Sequence, residues 1–145
     1  MKRLRSRGVA AIEAAIVMAV LAPALVMALN LGRLALNGAA LDRAASNAAR
    51  YLATVPIESL RDSTRRAAAL ASAQAMIDQT LAAAMIDVQS VHVEFTCDPG
   101  QCAGLQAAST PSKVGVLAVM EYRDVLDIGN LPLSLSVYAE VGRGN

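Results

Sequence analysis

Aromatic side chains are scarce in this chain of 145 residues, which has three Tyr, one Phe and no Trp. Recognition of nucleic acid needs a basic face with aromatic groups to stack on, and a formal charge of +1 supplies no such face. Nucleic acid is therefore excluded as a partner. Histidine occurs once, at His92, so a metal site would lack partners for it, and no spacing of residues argues for a catalytic triad or a carboxylate dyad. His92 alternates with Val91 and Val93, which puts it on the solvent face of a strand. There are only two cysteines, no internal repeats and no cofactor motif. The most informative absence is charge: from Ala14 to Gly32 there is none.

At about 1.5 Å of rise per residue, that uncharged run forms a helix of roughly 28 Å, close to the ~30 Å hydrocarbon thickness of a bilayer. Ahead of it stand Lys2, Arg3, Arg5 and Arg7, with no acid among them. Positive charge beside a first membrane helix stays on the cytoplasmic side, so the tip is expected inside and residues 37–145 outside. A cleaved secretory signal begins in a similar way, but its apolar region is shorter and does not open on an acid such as Glu13. A carboxylate in a membrane segment costs on the order of 2.5–3.5 kcal/mol unless it finds a partner. Glu13 needs such a partner.

Past Gly32 the helical period continues. Leu34, Leu41, Ala45, Ala48 and Leu52 share one face, and Asn37, Asp42, Arg43, Ser46, Asn47 and Arg50 fill the other. Pro23 removes one backbone hydrogen bond inside the span, and a bend is expected near Ala19 to Pro23. The first helix is read as running from about Gly8 to Thr54, where Pro56 breaks it. A second helix is expected from about Ser59 to Met85, opened by a capping-box-like Ser59 and Asp62. Its apolar side would be Leu60, Ala67, Leu70, Ile77, Leu81 and Ala84, with Arg61, Arg65 and Arg66 on a solvated face.

Near Val88 the period changes from helical to alternating. Val91, Val93 and Phe95 form one strand; Val114, Val116, Ala118, Met120 and Tyr122 a second; Leu133, Leu135, Val137, Ala139 and Val141 a third. The stretch from Cys97 to Lys113 and the stretch from Asp127 to Pro132 carry turn chemistry. An even pair of cysteines in a segment placed outside the membrane is most simply a disulfide, here Cys97 with Cys102 around a Pro-Gly turn. The fold class is therefore α+β: a single transmembrane helix that continues into an amphipathic half, and a second helix packed on a three-stranded antiparallel sheet. With 145 residues there is room for one small core beside the membrane helix.

A basic leader, Gly8 at its end, and Glu13 five residues later, all directly ahead of an apolar helix, resemble the type IV prepilin signal. After the apolar run, Gly32-Arg33 and then Ala44-Ala-Ser-Asn-Ala-Ala-Arg-Tyr-Leu-Ala53 are similar to the stretch that follows the membrane helix in TadE-like proteins, minor pilins of the tight-adherence (Flp) pilus system. The resemblance covers roughly residues 6–54. One position departs from the family's pattern, since Ala14 stands where an aromatic usually follows the Glu.

The resemblance implies a division into a leader at 1–8, a transmembrane helix at 9–36 and an extracytoplasmic α+β domain at 37–145. It implies processing by a prepilin peptidase between Gly8 and Val9, with a bare backbone at Gly8 entering the enzyme's cleft. Glu13 would meet the new amine of Val9 on a neighbouring subunit and set the axial register, as buried polar groups do in coiled coils. Ala10, Ala11, Ala14, Ala15 and Ala19 would let helices approach closely. The implied partners are the membrane, the peptidase, other pilin-like subunits and the pilus assembly platform, in the inner membrane of a two-membrane envelope. No enzymatic activity and no cofactor are expected. Removing the leader takes four of the 13 basic residues and leaves nine against 12 acidic ones. The competing reading is a signal-anchored envelope binding module with no processing at Gly8.

Overall fold

The computed structural model describes residues 3–98, 100–106, 110–122 and 133–143, with side chains from Ala10 onward except those of Tyr122 and Leu133. The chain divides into two units, Met1–Ala35 and Leu36–Asn145. The helix α1 (Arg3–Thr54) begins in the first and continues into the second, and it starts earlier than expected because helix formers such as Leu4, Arg5, Arg7 and Ala10 surround Gly8. A single helical glycine costs only about 1 kcal/mol. Pro23 lies inside α1, which continues through it without a break. Ile12, Ile16, Met18, Val20, Leu21 and Leu25 are all exposed, each by more than half of its surface. Burying such a side chain is worth about 1.5–3 kcal/mol, so this surface calls for an apolar surrounding. By length and composition, α1 is the one helix among the described residues that can cross a membrane.

The second unit begins with the amphipathic half of α1, whose Leu41, Ala44, Ala45, Ala48, Ala49 and Leu52 are buried. Ala at four of these six positions keeps the helix thin and close to what it covers. Gly38, one turn earlier, has a similar reason: a Cβ there would lie 3.4 Å from Leu135. After Thr54 the expected single second helix is two. A five-residue α2 (Ile57–Arg61) ends at Asp62, whose extended backbone (ψ 123°) interrupts the helix, and α3 (Ser63–Ala83) follows. Asp62 therefore caps α3 rather than completing a box with Ser59; its carboxylate accepts from the Arg65 amide at 2.9 Å.

The buried face of α3 is Ala69, Ala73, Ile77 and Leu81. Ala67 and Ala84, expected inside, are exposed. The cause is the break at Asp62, which lets α3 turn independently of Leu60. At its far end α3 closes with the amide of Ile86 on the Leu81 carbonyl and that of Met85 on Ala82, both at 3.0 Å. This is a Schellman arrangement, and it forces Met85 to φ 58°.

The sheet has four antiparallel strands in the order β2-β1-β3-β4, one more than expected. β1 (Val91–Cys97), β3 (Lys113–Tyr122) and β4 (Leu133–Gly142) are the three anticipated strands. The addition, β2 (Gly100–Gln101), is only two residues long and pairs with Thr96 and Cys97. No alternation can be read from two residues. Val114, Val116, Ala118 and Met120 face the core with Val91, Val93, Phe95 and the odd-numbered residues of β4 from Leu135 on. The expected turn from Asp127 to Pro132 lies outside the described residues.

On the other face of the sheet Gly115 sits between Thr96 on β1 and Glu140 on β4. A Cβ there would come within 2.6 Å of the Thr96 hydroxyl and 2.7 Å of the Tyr138 hydroxyl. Tyr138 lies across the glycine, filling the space that its missing side chain leaves.

Candidate functional site

Gly8, Val9 and Glu13 all lie on α1, so helix geometry alone sets their relation. Glu13 shares its face with Ala10, Ile16 and Val17, its neighbours at spacings of three and four. All four are exposed. No hydrogen bond or ion pair joins Glu13 to another described residue. The arrangement is a lone carboxylate on an apolar helical surface, with the alanines at 10, 11, 14, 15 and 19 exposed beside it. Chemically it can accept hydrogen bonds or pair with a cation brought by another chain. Nothing within the described part of this chain satisfies it.

Three knots of polar groups tie distant parts of the second unit together among the described residues. At the disulfide corner Cys97 and Cys102 are bonded, with Cα atoms 4.8 Å apart and both residues buried. Cys102 begins a 3-10 turn (Cys102–Gly104), and the Arg66 guanidinium donates to the carbonyls of Leu105 at 2.9 Å, Ala103 at 3.3 Å and Leu60 at 3.1 Å. Arg66 is thus not on a solvated face. By period alone it belongs with Arg61 and Arg65, because the break at Asp62, which rotates it inward, leaves no periodic signal.

The second knot is on the open face of the sheet. Lys113 Nζ lies 2.7 Å from Glu140 Oε1, and the Tyr138 hydroxyl donates to Glu140 Oε2 at 2.9 Å. The hydrogen bond and charge of Glu140 raise the pKa of Lys113. The hydrogen bonds from Lys113 and Tyr138 hold the Glu140 carboxyl below its usual range. These groups satisfy one another within the open depression that they line with Thr96, Cys97, Asp98 and Gln101. The third knot is Arg143, which donates to the carbonyls of Leu52 and Val55 at the end of α1. Its partners are 91 and 88 residues away, so sequence alone offers no cue.

His92 is exposed, with Nε2 at 4.0 Å from Glu94 Oε1. Among the described residues no three His, Cys, Asp or Glu side chains could hold a metal ion together.

A long apolar helix near the amino terminus, exposed and able to span a bilayer, with an α+β unit after it, defines a candidate single-pass membrane protein with one folded head. The family model of the TadE-like proteins matches residues 8–50, so this segment is TadE-like, from Gly8 through most of α1. No curated protein and no solved structure matches the chain significantly. The matched segment contains Gly8, Val9 and Glu13 and stops short of α2, α3 and the sheet. A pilus-associated component of the tight-adherence system is the class to which this family points.

Proposed function

We propose that this protein is a minor-pilin-like structural component of a tight-adherence pilus or a related secretion apparatus. The observation that carries the reading is the family match beginning at Gly8 and running along the exposed apolar helix. In this reading the chain inserts with its basic tip in the cytoplasm, leaving residues 37–145 in the periplasm. A prepilin peptidase removes residues 1–8. Because α1 begins at Arg3, the peptidase has to unwind the helix around Gly8 before cutting, which a glycine makes easier.

The freed helix then packs laterally with other pilin-like helices through its small residues. Glu13 receives the Val9 amine of a neighbour, since a buried charge left unpaired costs about 3–5 kcal/mol. The role is structural and not enzymatic. The head of the molecule primes or caps assembly.

The test is the mature amino terminus together with two substitutions made in the native host. Gly8→Leu should leave the leader uncut, with precursor accumulating in the membrane. Glu13→Ala should be processed and stable, because the side chain lies beyond the cut and a costly carboxylate has gone. It should nonetheless lose co-purification with other pilins. If the unaltered protein keeps Met1 to Gly8, or if Glu13→Ala assembles normally, the signal-anchored binding module replaces this reading.

A further inference from the structure

We infer that closure of the Cys97–Cys102 disulfide sets the Arg66 clamp, so that the corner between α2 and α3 is held only in the oxidised chain. A guanidinium has five N–H donors in a rigid fork and no acceptor. Here it spends them on three carbonyls, of which two, Ala103 and Leu105, follow directly after Cys102. Those carbonyls are presented by the 3-10 turn, which the Leu105 amide closes on the Cys102 carbonyl at 3.2 Å. The turn is tied back to the sheet by the disulfide and by the two-residue β2, and strand pairing that short is marginal by itself. Without the bond between the sulfurs, the turn loses its principal anchor to β1.

The third carbonyl, Leu60, belongs to the last turn of α2. A five-residue helix is far below the length at which a helix sustains itself, and Leu60 is its only buried residue. Fixing Arg66 from the turn therefore fixes α2 from its carboxyl end. In the closing step the two thiols give up two electrons and two protons to an external protein disulfide, which leaves as a dithiol while the Cys97–Cys102 bond forms. A chain made in a reducing cytoplasm would then complete this corner only after its head crosses the membrane. That timing rests on the orientation proposed above; the clamp itself does not.

Amide hydrogen exchange on the full chain in detergent micelles tests the clamp, whatever the protein's role. The Leu60 amide bonds to Pro56 and the Asp62 amide to Glu58, so both report on α2, while Leu105 reports on the turn. In Cys97→Ser/Cys102→Ser, and in the unaltered chain under reductant, exchange at all three should speed at least tenfold more than at Ala45 to Ala49, which follow only the loss of overall stability. Arg66→Ala in the oxidised chain should reproduce the effect at Leu60 and Asp62. Adding the cysteine substitutions to it should bring no further change there. Unaltered exchange at Leu60 and Asp62 in the reduced chain overturns the inference. So does equal acceleration at Ala45 to Ala49, or full additivity of the Arg66 and cysteine effects.

Discussion

Arg143, one residue past β4, donates to the Leu52 carbonyl at 3.0 Å and thereby closes the carboxyl end of α1 from the far end of the chain. The last carbonyls of any helix lack partners within it, and the Thr54 hydroxyl, 2.7 Å from the Tyr51 carbonyl, serves only one of these. Burial pulls the pKa of Arg143 down, yet the two carbonyls repay part of that desolvation. Arg143→Ala should destabilise the second unit by about 1.5–3 kcal/mol, the usual worth of hydrogen bonds to a charged group. Arg143→Lys should recover less than half, because an ammonium lacks the fork that reaches both oxygens. Urea unfolding followed by far-ultraviolet circular dichroism measures both.

Met85 is 96% exposed at φ 58°, so its side chain has little packing to lose and its backbone is strained. A left-handed residue other than glycine costs roughly 1–2 kcal/mol, against which stands the extra freedom glycine gives the unfolded chain. Met85→Gly should raise stability by about 0.5–1 kcal/mol. Met85→Val, β-branched at the same angle, should lower it, and the difference in unfolding midpoint between the two reads the strain directly.

The disulfide spans a sequence separation of five. For so short a loop the chain-entropy relation gives only about 2 kcal/mol. Cys97→Ser/Cys102→Ser should therefore leave the second unit folded at 25 °C, with its circular dichroism spectrum kept and its unfolding midpoint lowered. A molecule wholly unfolded in that variant would show the core to be much weaker than its buried leucines suggest.

Asp62 and Glu140 are held below their ordinary pKa values of 3.8 and 4.5, Asp62 first by the Arg65 amide and Glu140 first by Lys113. Their contributions are complete above those ordinary values and disappear as pH falls through the lower, folded ones. Lys113 is shifted upward, so its contribution is complete below 10.5 and disappears as pH rises through the folded value. Stability from these three groups should be flat between roughly pH 5 and 10 and fall on both sides. Asp62→Asn should flatten only part of the acid limb, whereas Glu140→Gln or Lys113→Gln should each flatten the alkaline limb and weaken the acid one, because these two groups hold each other's shift. Unfolding midpoints taken across pH decide it.

Much of this architecture is legible in the residues because it is set locally. The uncharged run from Ala14 to Gly32 makes an apolar helix whatever follows it. The spacing of Leu41, Ala45, Ala48 and Leu52 selects the face that is buried, and the alternation in β3 selects its core side at Val114, Val116, Ala118 and Met120. Gly8 and Glu13 stand out for the same reason: they are exceptions within a strongly patterned stretch.

What only the tertiary structure decided are the places where the pattern is degenerate or the partner is distant. In and just after α3, with alanine on nearly every side, the period cannot tell Ala69 and Ala73 from Ala67 and Ala84; the break at Asp62 and the apolar surface beneath α3 make that choice. β2 exists because the chain turns back at Cys97 and is bonded there, not because Gly100 and Gln101 favour a strand. Arg66 reads as a surface cation in sequence, since a guanidinium's preference for water is intrinsic, and nothing in the sequence singles out Arg143. Apart from Leu60, six residues from Arg66, the carbonyls that outweigh that preference lie 37 to 91 residues away and come within reach only once the chain has folded.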